Sequence, residues 1–278
     1  VLGRAALITP GGALDVENAS DGRFAADPQA LYERWEEFLA WASDPPSEAG
    51  GAAPFPFNEA DLLSPAPLPG QVFAVGLNYR AHASETNAAL PERLSVFTKF
   101  PTCITGGFSE ALLPAGGNVD WEVELVVVMG RRAHKVADWE AWSYVAGLAV
   151  GIDFSERILQ MAAGRQFALG KSYPGFGPIG PWVVTVDELT EPDDLALSLA
   201  VNGETMQSSR TSDMVYGVPR IIEEIAEVVP LLPGDVIFTG TPAGVGMSRK
   251  PPRFLEHGDV VEATVQGVGT IRTKMLAP

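Results

Sequence analysis

The sequence is poor in thiols: a single cysteine, Cys103, stands among 278 residues. One thiol closes no internal disulfide, and a CxxC redox or zinc motif is absent with it. Cys103 is left the role of a small buried hydrophobe. Positive charge is also scarce, with 19 Lys and Arg against 35 Asp and Glu and a net charge of −16. A phosphate backbone needs a basic surface that this composition does not supply, which argues against nucleic acid as a partner. The same balance suits a soluble protein and is compatible with cation binding. No apolar run reaches the ~18 residues of a membrane span, and no basic stretch precedes a long apolar core at the N-terminus. A cytoplasmic location with no membrane partner is the default expectation.

What is present is a chain long enough for one large and one small domain with a buried site. Residues 1–66 read as a small N-terminal unit and 67–278 as the larger domain. In the first, Ala5 to Thr9 is a strand. Asp27-Pro28 opens a helix as N-cap and first residue, running through LYERWEEFLAWA with Leu31, Trp35, Phe38 and Leu39 on one face. SDPPSEAGGAAPFP at 43–56 is a linker or excursion, and SPAPLPG at 64–70 is a second break. Beyond it, Gln71 to Leu77 and Leu94 to Phe100, which carries Lys99, are candidate strands.

The acidic strand DWEVELVVVMG, Asp120 to Gly130, organises the larger unit. Val123, Val126, Val127 and Val128 favour extended backbone, and residues two apart on a strand share a face about 7 Å apart. Glu122 and Glu124 therefore point the same way. Desolvated side by side, two ionised acids repel unless one takes up a proton or both find a cation. A hard divalent metal resolves the conflict, with Asp153, at the end of the apolar Val145 to Ile152, as a third oxygen ligand. The competing reading is an antiparallel strand whose acids face water. Upstream, a helical NYRAHASE places His82 and Glu85 at i, i+3. A carboxylate beside an imidazole fixes its tautomer and raises its basicity, as a general base requires. A solvated pair on a surface turn is the plainer alternative.

Arg157 and Gln160 share a short helical face after Asp153, and Lys171 follows in a loop rich in Gly and Pro. The GKS at Gly170 to Ser172 is no phosphate loop, because Arg165 stands where that motif needs Gly. Asn202-Gly203 marks a hairpin, and Pro219 to Val229 a helix with Ile221, Ile222, Ile225 and Val229 inward. Two Gly-Asp turns each precede a strand, and His257 in the second is an exposed turn residue. Strands outnumber helices without regular alternation, so the fold class is β-rich α+β.

GLNYRAHASE, VDWEVELVVVMG, DFSERILQ, GKSYPGFGPIGPW, VNGETMQ, LLPGDVIFTGTPAGVG and LEHGDVVEATVQGVGTI follow one another in the order found in the fumarylacetoacetate hydrolase superfamily. The chain resembles that family from about Gln71 to Met275. The resemblance implies a mixed β-sandwich roll, usually a homodimer, with Mg²⁺ or Mn²⁺ held by Glu122, Glu124 and Asp153. It implies a His82–Glu85 dyad on a lid, a catalytic Lys171, and Arg157, Gln160, Thr241 and Lys99 as substrate contacts. Glu156, Ile158, Arg210 and Tyr173 to Phe176 depart from the family's usual residues and leave the substrate open. The leading expectation is metal-dependent hydrolysis of a carbon–carbon bond in a 2,4-dioxo acid or another 1,3-dicarbonyl compound. The alternative is decarboxylation of an oxaloacetate-like acid, or tautomerisation of such an acid or a 2-hydroxydienedioate, at the same site. A silent scaffold is a third reading, opposed by six chemistry-bearing side chains that a fold alone does not need.

Overall fold

A computed structural model describes residues 1–44, 53–86, 88–162, 164 and 166–278. Most of the 43–56 linker lies outside the described residues. Two sheets dominate. The larger has seven strands in the order Ser95–Thr98, Val72–Gly76, Val236–Phe238, Val123–Met129, Val145–Ile152, Gly177–Val184 and Ile104–Gly106. The smaller orders Glu204–Arg210, Ala196–Val201, Val260–Val265, Gly269–Leu276 and Phe108–Leu112. Both mix parallel and antiparallel pairs. This is the strand-rich α+β class the pattern implied.

The Val123–Met129 strand is buried along its whole length, and its alternation separates two cores. Val123, Leu125, Val127 and Met129 pack with Leu197, Leu199, Val261, Ala263 and Ile271 of the smaller sheet. Val126 and Val128 turn the other way, onto Phe24, Leu31, Tyr32, Trp35 and Phe38 of the N-terminal segment. Glu124 has the even parity of Val126 and Val128. The acids therefore do not face open water: Glu122 and Glu124 are 6% and 2% exposed.

The N-terminal helix is broken in two, Pro28–Tyr32 and Trp35–Ala42. Arg34 leaves helical geometry at φ −126°, ψ 33°, and its guanidinium bonds the Arg23 carbonyl and Glu37. The break stacks Tyr32 on Trp35 at 5.3 Å, so Tyr32 joins the buried face that the unbroken helix assigned to Leu39. Leu39 is exposed instead. Aromatic stacking against the sheet outweighs one turn of helix hydrogen bonding. The Asn202-Gly203 turn has both residues at positive φ, 51° and 81°, as a two-residue primed hairpin turn demands. The later helix runs Val218–Ala226 with Ile221, Ile222 and Ile225 buried. His257 is exposed and accepts a hydrogen bond from Ala277 N–H.

Candidate active site

Antiparallel register builds the acidic centre. Val123 pairs with Ile152, so the residues just outside the ladder, Glu122 and Asp153, are also opposed, and Asp153 N–H donates to the Glu122 carbonyl at 2.9 Å. Glu124 stands two residues along on the same side. One oxygen from each of Glu122, Glu124 and Asp153 lies within 4.8 Å of the others. All three side chains are buried.

Three cations surround them. Lys171, capping the short Phe167–Gly170 helix, donates to Glu122 Oε2 at 2.7 Å and Asp153 Oδ2 at 2.6 Å. Arg157 bonds Asp120 Oδ1 at 2.6 Å, Glu122 Oε1 at 2.7 Å and Gln160 Oε1 at 2.9 Å. Lys99 bonds Asp153 Oδ1 at 2.6 Å, the Phe176 carbonyl at 3.2 Å and the Lys171 carbonyl. Four buried carboxylates, Asp120, Glu122, Glu124 and Asp153, thus face three cations. Among the described residues Glu124 is the acid of this set without an ion pair; its hydrogen bond comes from Gly240 N–H at 2.6 Å.

The charge imbalance divides the two glutamates. Burial alone raises the Glu122 carboxyl, but Lys171, Arg157 and His82 together hold it down at about 2. Burial pushes Glu124 well above the usual carboxylate range, and the charges of Asp153 and Glu122 push it further. Burial opposes the Lys171 charge, yet Asp153 and Glu122 raise it above an ordinary lysine and keep it protonated. An all-oxygen set of three converging carboxylates, with one acid in need of positive charge, fits a hard divalent ion.

His82 and Glu85 lie on the Arg80–Glu85 helix and meet at 2.9 Å through His82 Nδ1. Glu85 also accepts from Gly244 N–H at 3.1 and 3.0 Å. With Nδ1–H donating to the Glu85 carboxylate, Nε2 is left as the basic nitrogen. The Thr239–Gly244 loop ties the two halves together, with Gly240 on Glu124 and Gly244 on Glu85. Gly244 has φ +107°, and a Cβ there meets the Met206 carbonyl oxygen at 2.1 Å. Gly244→Ala is therefore expected to displace the loop, cost about 1–3 kcal/mol of stability and loosen Glu85. A thermal melt and an activity assay that both match wild type would remove this loop from the account of the dyad.

The structure brings together Glu122, Glu124, Asp153, Arg157, Gln160 and Lys171 as one cluster, with His82 close enough for its charge to act on Glu122. Lys99 sits behind Asp153 at 2% exposure. Asp120, Gln207 and the Gly240 amide are members that pattern reading passed over. Asp120 lay in the acidic run and Gln207 in the VNGETMQ motif, so a polar residue within a buried strand was the available signal. Glu156 caps the Arg157–Ala162 helix by accepting from Ile158 and Leu159 N–H. An open cavity of about 810 Å³ lined by Gly117, Asn118 and Arg249 to Glu256 holds none of the candidate residues.

Residues 71–276 match the family model described as fumarylacetoacetate (FAA) hydrolase, C-terminal. The chain belongs to the fumarylacetoacetate hydrolase superfamily. The crystal structure of an HpcE protein from Mycobacterium smegmatis is 49% identical, with a TM-score of 0.93 over 99% of this chain and 97% of that one. The rat (Rattus norvegicus) mitochondrial oxaloacetate tautomerase Fahd2a is 41% identical over 222 residues, 80% of this chain and 71% of the relative. Fumarylpyruvate hydrolase from Pseudomonas aeruginosa, solved with Mn²⁺ and pyruvate, is 30% identical with a TM-score of 0.69, covering 76% of this chain and 91% of that one. Members of the family are thus enzymes with tautomerase, isomerase and hydrolase names. No helix among the described residues is long and apolar enough to cross a membrane.

Proposed function

We propose that this protein is a divalent-metal-dependent enzyme of 2-oxo acids that moves a proton at C3, as in tautomerisation of an oxaloacetate-like acid or isomerisation of a 2-hydroxydienedioate. The observation that carries the reading is Glu124, an acid in a converging buried triad with no cation of its own among the described residues. Glu122, Glu124 and Asp153 are the residues that would hold Mg²⁺ or Mn²⁺. When bound, the ion supplies Lewis acidity for the keto oxygen of the substrate. The tautomerase name of the rat relative supports proton transfer over the hydrolysis that led the reading of the sequence.

The chain's own groups do the rest. His82, turned by Glu85, takes the C3 proton at Nε2 and passes it to the substrate oxygen on which the enolate charge develops, or carries it the opposite way when the enol is the substrate. Lys171 keeps its charge beside the triad and stabilises negative charge that develops on a substrate oxygen. Arg157 holds Glu122 and Gln160 in place. Lys99, with its ammonium engaged by Asp153 and two carbonyls, serves as a positioning group for that acid. Hydrolysis of an acylpyruvate is the second reading, favoured by the same dyad, since a basic Nε2 can equally draw a proton from water.

The test is an assay of Mn²⁺-loaded protein against oxaloacetate enol, a 2-hydroxydienedioate, fumarylpyruvate and acetylpyruvate, with products identified by NMR. An isomerised substrate of unchanged carbon count is expected. Pyruvate plus a second carboxylic acid would put hydrolysis first, and no turnover of any of the four would end the 2-oxo acid reading. A homodimer is the assembly the family resemblance leads us to propose; light scattering at about twice 29.5 kDa is the expected result.

A further inference from the structure

Gln207 belongs to the Glu204–Arg210 strand of the smaller sheet, yet its side chain, on a residue 1% exposed, reaches into the site on the larger one. Its amide cannot be turned round. Oε1 accepts from Val123 N–H at 2.9 Å, a group that only donates. Nε2 donates to the Pro242 carbonyl at 2.9 Å, a group that only accepts, and to Thr241 Oγ1 at 2.8 Å. Flipping the amide would oppose donor to donor at Val123 and acceptor to acceptor at Pro242. The Thr241 hydroxyl therefore accepts from Gln207 and keeps its one proton for another partner.

Among the described residues Thr241 has no further hydrogen bond, and it is 3% exposed. Its neighbour Gly240 holds Glu124, and Gly244 of the same loop holds Glu85. The hydroxyl thus lies on the short segment between the acidic centre and the dyad. A buried donor without an acceptor costs free energy until a ligand supplies one.

We propose that Gln207 is a specificity-determining positioning residue: it fixes Thr241 as a hydrogen-bond donor, so the site takes a substrate that presents a carboxylate or keto oxygen there. This rests on the function proposed above. It makes the preference for an oxo acid a property of an amide on the opposite sheet. A ligand that offers only an amide N–H at that point leaves the Thr241 proton without an acceptor and binds less well.

Gln207→Glu tests the polarity. The carboxylate still accepts from Val123 N–H but now also accepts from Thr241, which draws the hydroxyl proton away from the ligand. The readout is the Kd of oxalate, a planar carboxylate probe, measured by calorimetry on Mn²⁺-loaded protein. Thr241→Val in the wild-type background is expected to weaken oxalate by about 10- to 100-fold, the usual worth of a hydrogen bond to a charged group. In the Gln207→Glu background the same change is expected to cost nothing, and Mn²⁺ is still bound. An equal loss in both backgrounds would show that the added charge merely repels oxalate, and would overturn the inference. So would Mn²⁺ binding with no loss from Thr241→Val in either. If wild-type protein binds no Mn²⁺, the metal reading falls and takes this inference with it. Should Gln207→Glu fail to fold, Gln207→Met serves instead: it frees the hydroxyl to rotate, and an undiminished Thr241→Val loss in that background would overturn the proposal.

Discussion

Glu124→Gln is expected to weaken Mn²⁺ binding by more than about a hundredfold, beyond what losing a mere supporting partner of a metal ligand costs. Turnover falls with it by about a thousandfold, the scale of several kcal/mol of lost Lewis-acid stabilisation. The same change should make chelator-treated protein more stable at neutral pH, and the sign follows from the direction in which burial moves this acid. Glu124 is raised in the folded state, first by burial and then by Asp153 and Glu122. Below the unfolded pKa of 4.5 both states carry the proton and the site exacts no penalty. As pH climbs from there to the folded pKa, the unfolded chain ionises first and stability drains away, by about 1.4 kcal/mol for each pH unit crossed. A neutral Gln, which still accepts from Gly240 N–H, has no such loss. Glu122 behaves in the opposite sense: held at about 2 against 4.5, it stabilises the fold above pH 4.5 and loses that contribution as pH falls toward 2. Thermal melts across pH with chelator, paired with Mn²⁺ titration, check both halves. Unchanged Mn²⁺ affinity in Glu124→Gln would end the metal assignment, whatever the melts show.

That stability should be gained where function is lost explains why the acidic strand was readable. Two glutamates two residues apart in a run of valines violate the ordinary rule for a buried strand, and such violations gather at sites. The hairpin at Asn202-Gly203 was readable for a local reason: positive φ at both positions leaves few residue choices. The rest depends on contacts remote in sequence. Nothing local says that Val123 pairs with Ile152, yet that register alone sets Asp153 beside Glu122. The break after Tyr32 is decided by aromatic packing on a sheet whose strands lie far downstream. Lys99 was legible as a lysine near the site, but its burial behind Asp153 was not, because a strand's end gives no hint of what closes over it. Gln207 escaped for the same reason: its partners Val123 and Thr241 come from two other parts of the chain.

His82→Ala is expected to divide the reactions of a 2-oxo acid site. Tautomerisation and hydrolysis both need a proton drawn to Nε2, from C3 in one and from water in the other, so both should fall by about 10²- to 10⁴-fold in kcat. Decarboxylation of oxaloacetate needs an electron sink at the keto oxygen and no base, so its rate should stay within about tenfold of wild type. Glu85→Gln should fall between these limits. The amide oxygen still accepts from His82 Nδ1–H or from Gly244 N–H, but the negative charge that stabilises a protonated imidazole is gone. Mn²⁺ affinity provides the control, because His82 is no ligand in this scheme. If tautomerisation survives in His82→Ala at full rate, the dyad is not the base. Lys171, held protonated by Asp153 and Glu122, and Arg157, bonded to Asp120 and Glu122, are not bases that could replace it.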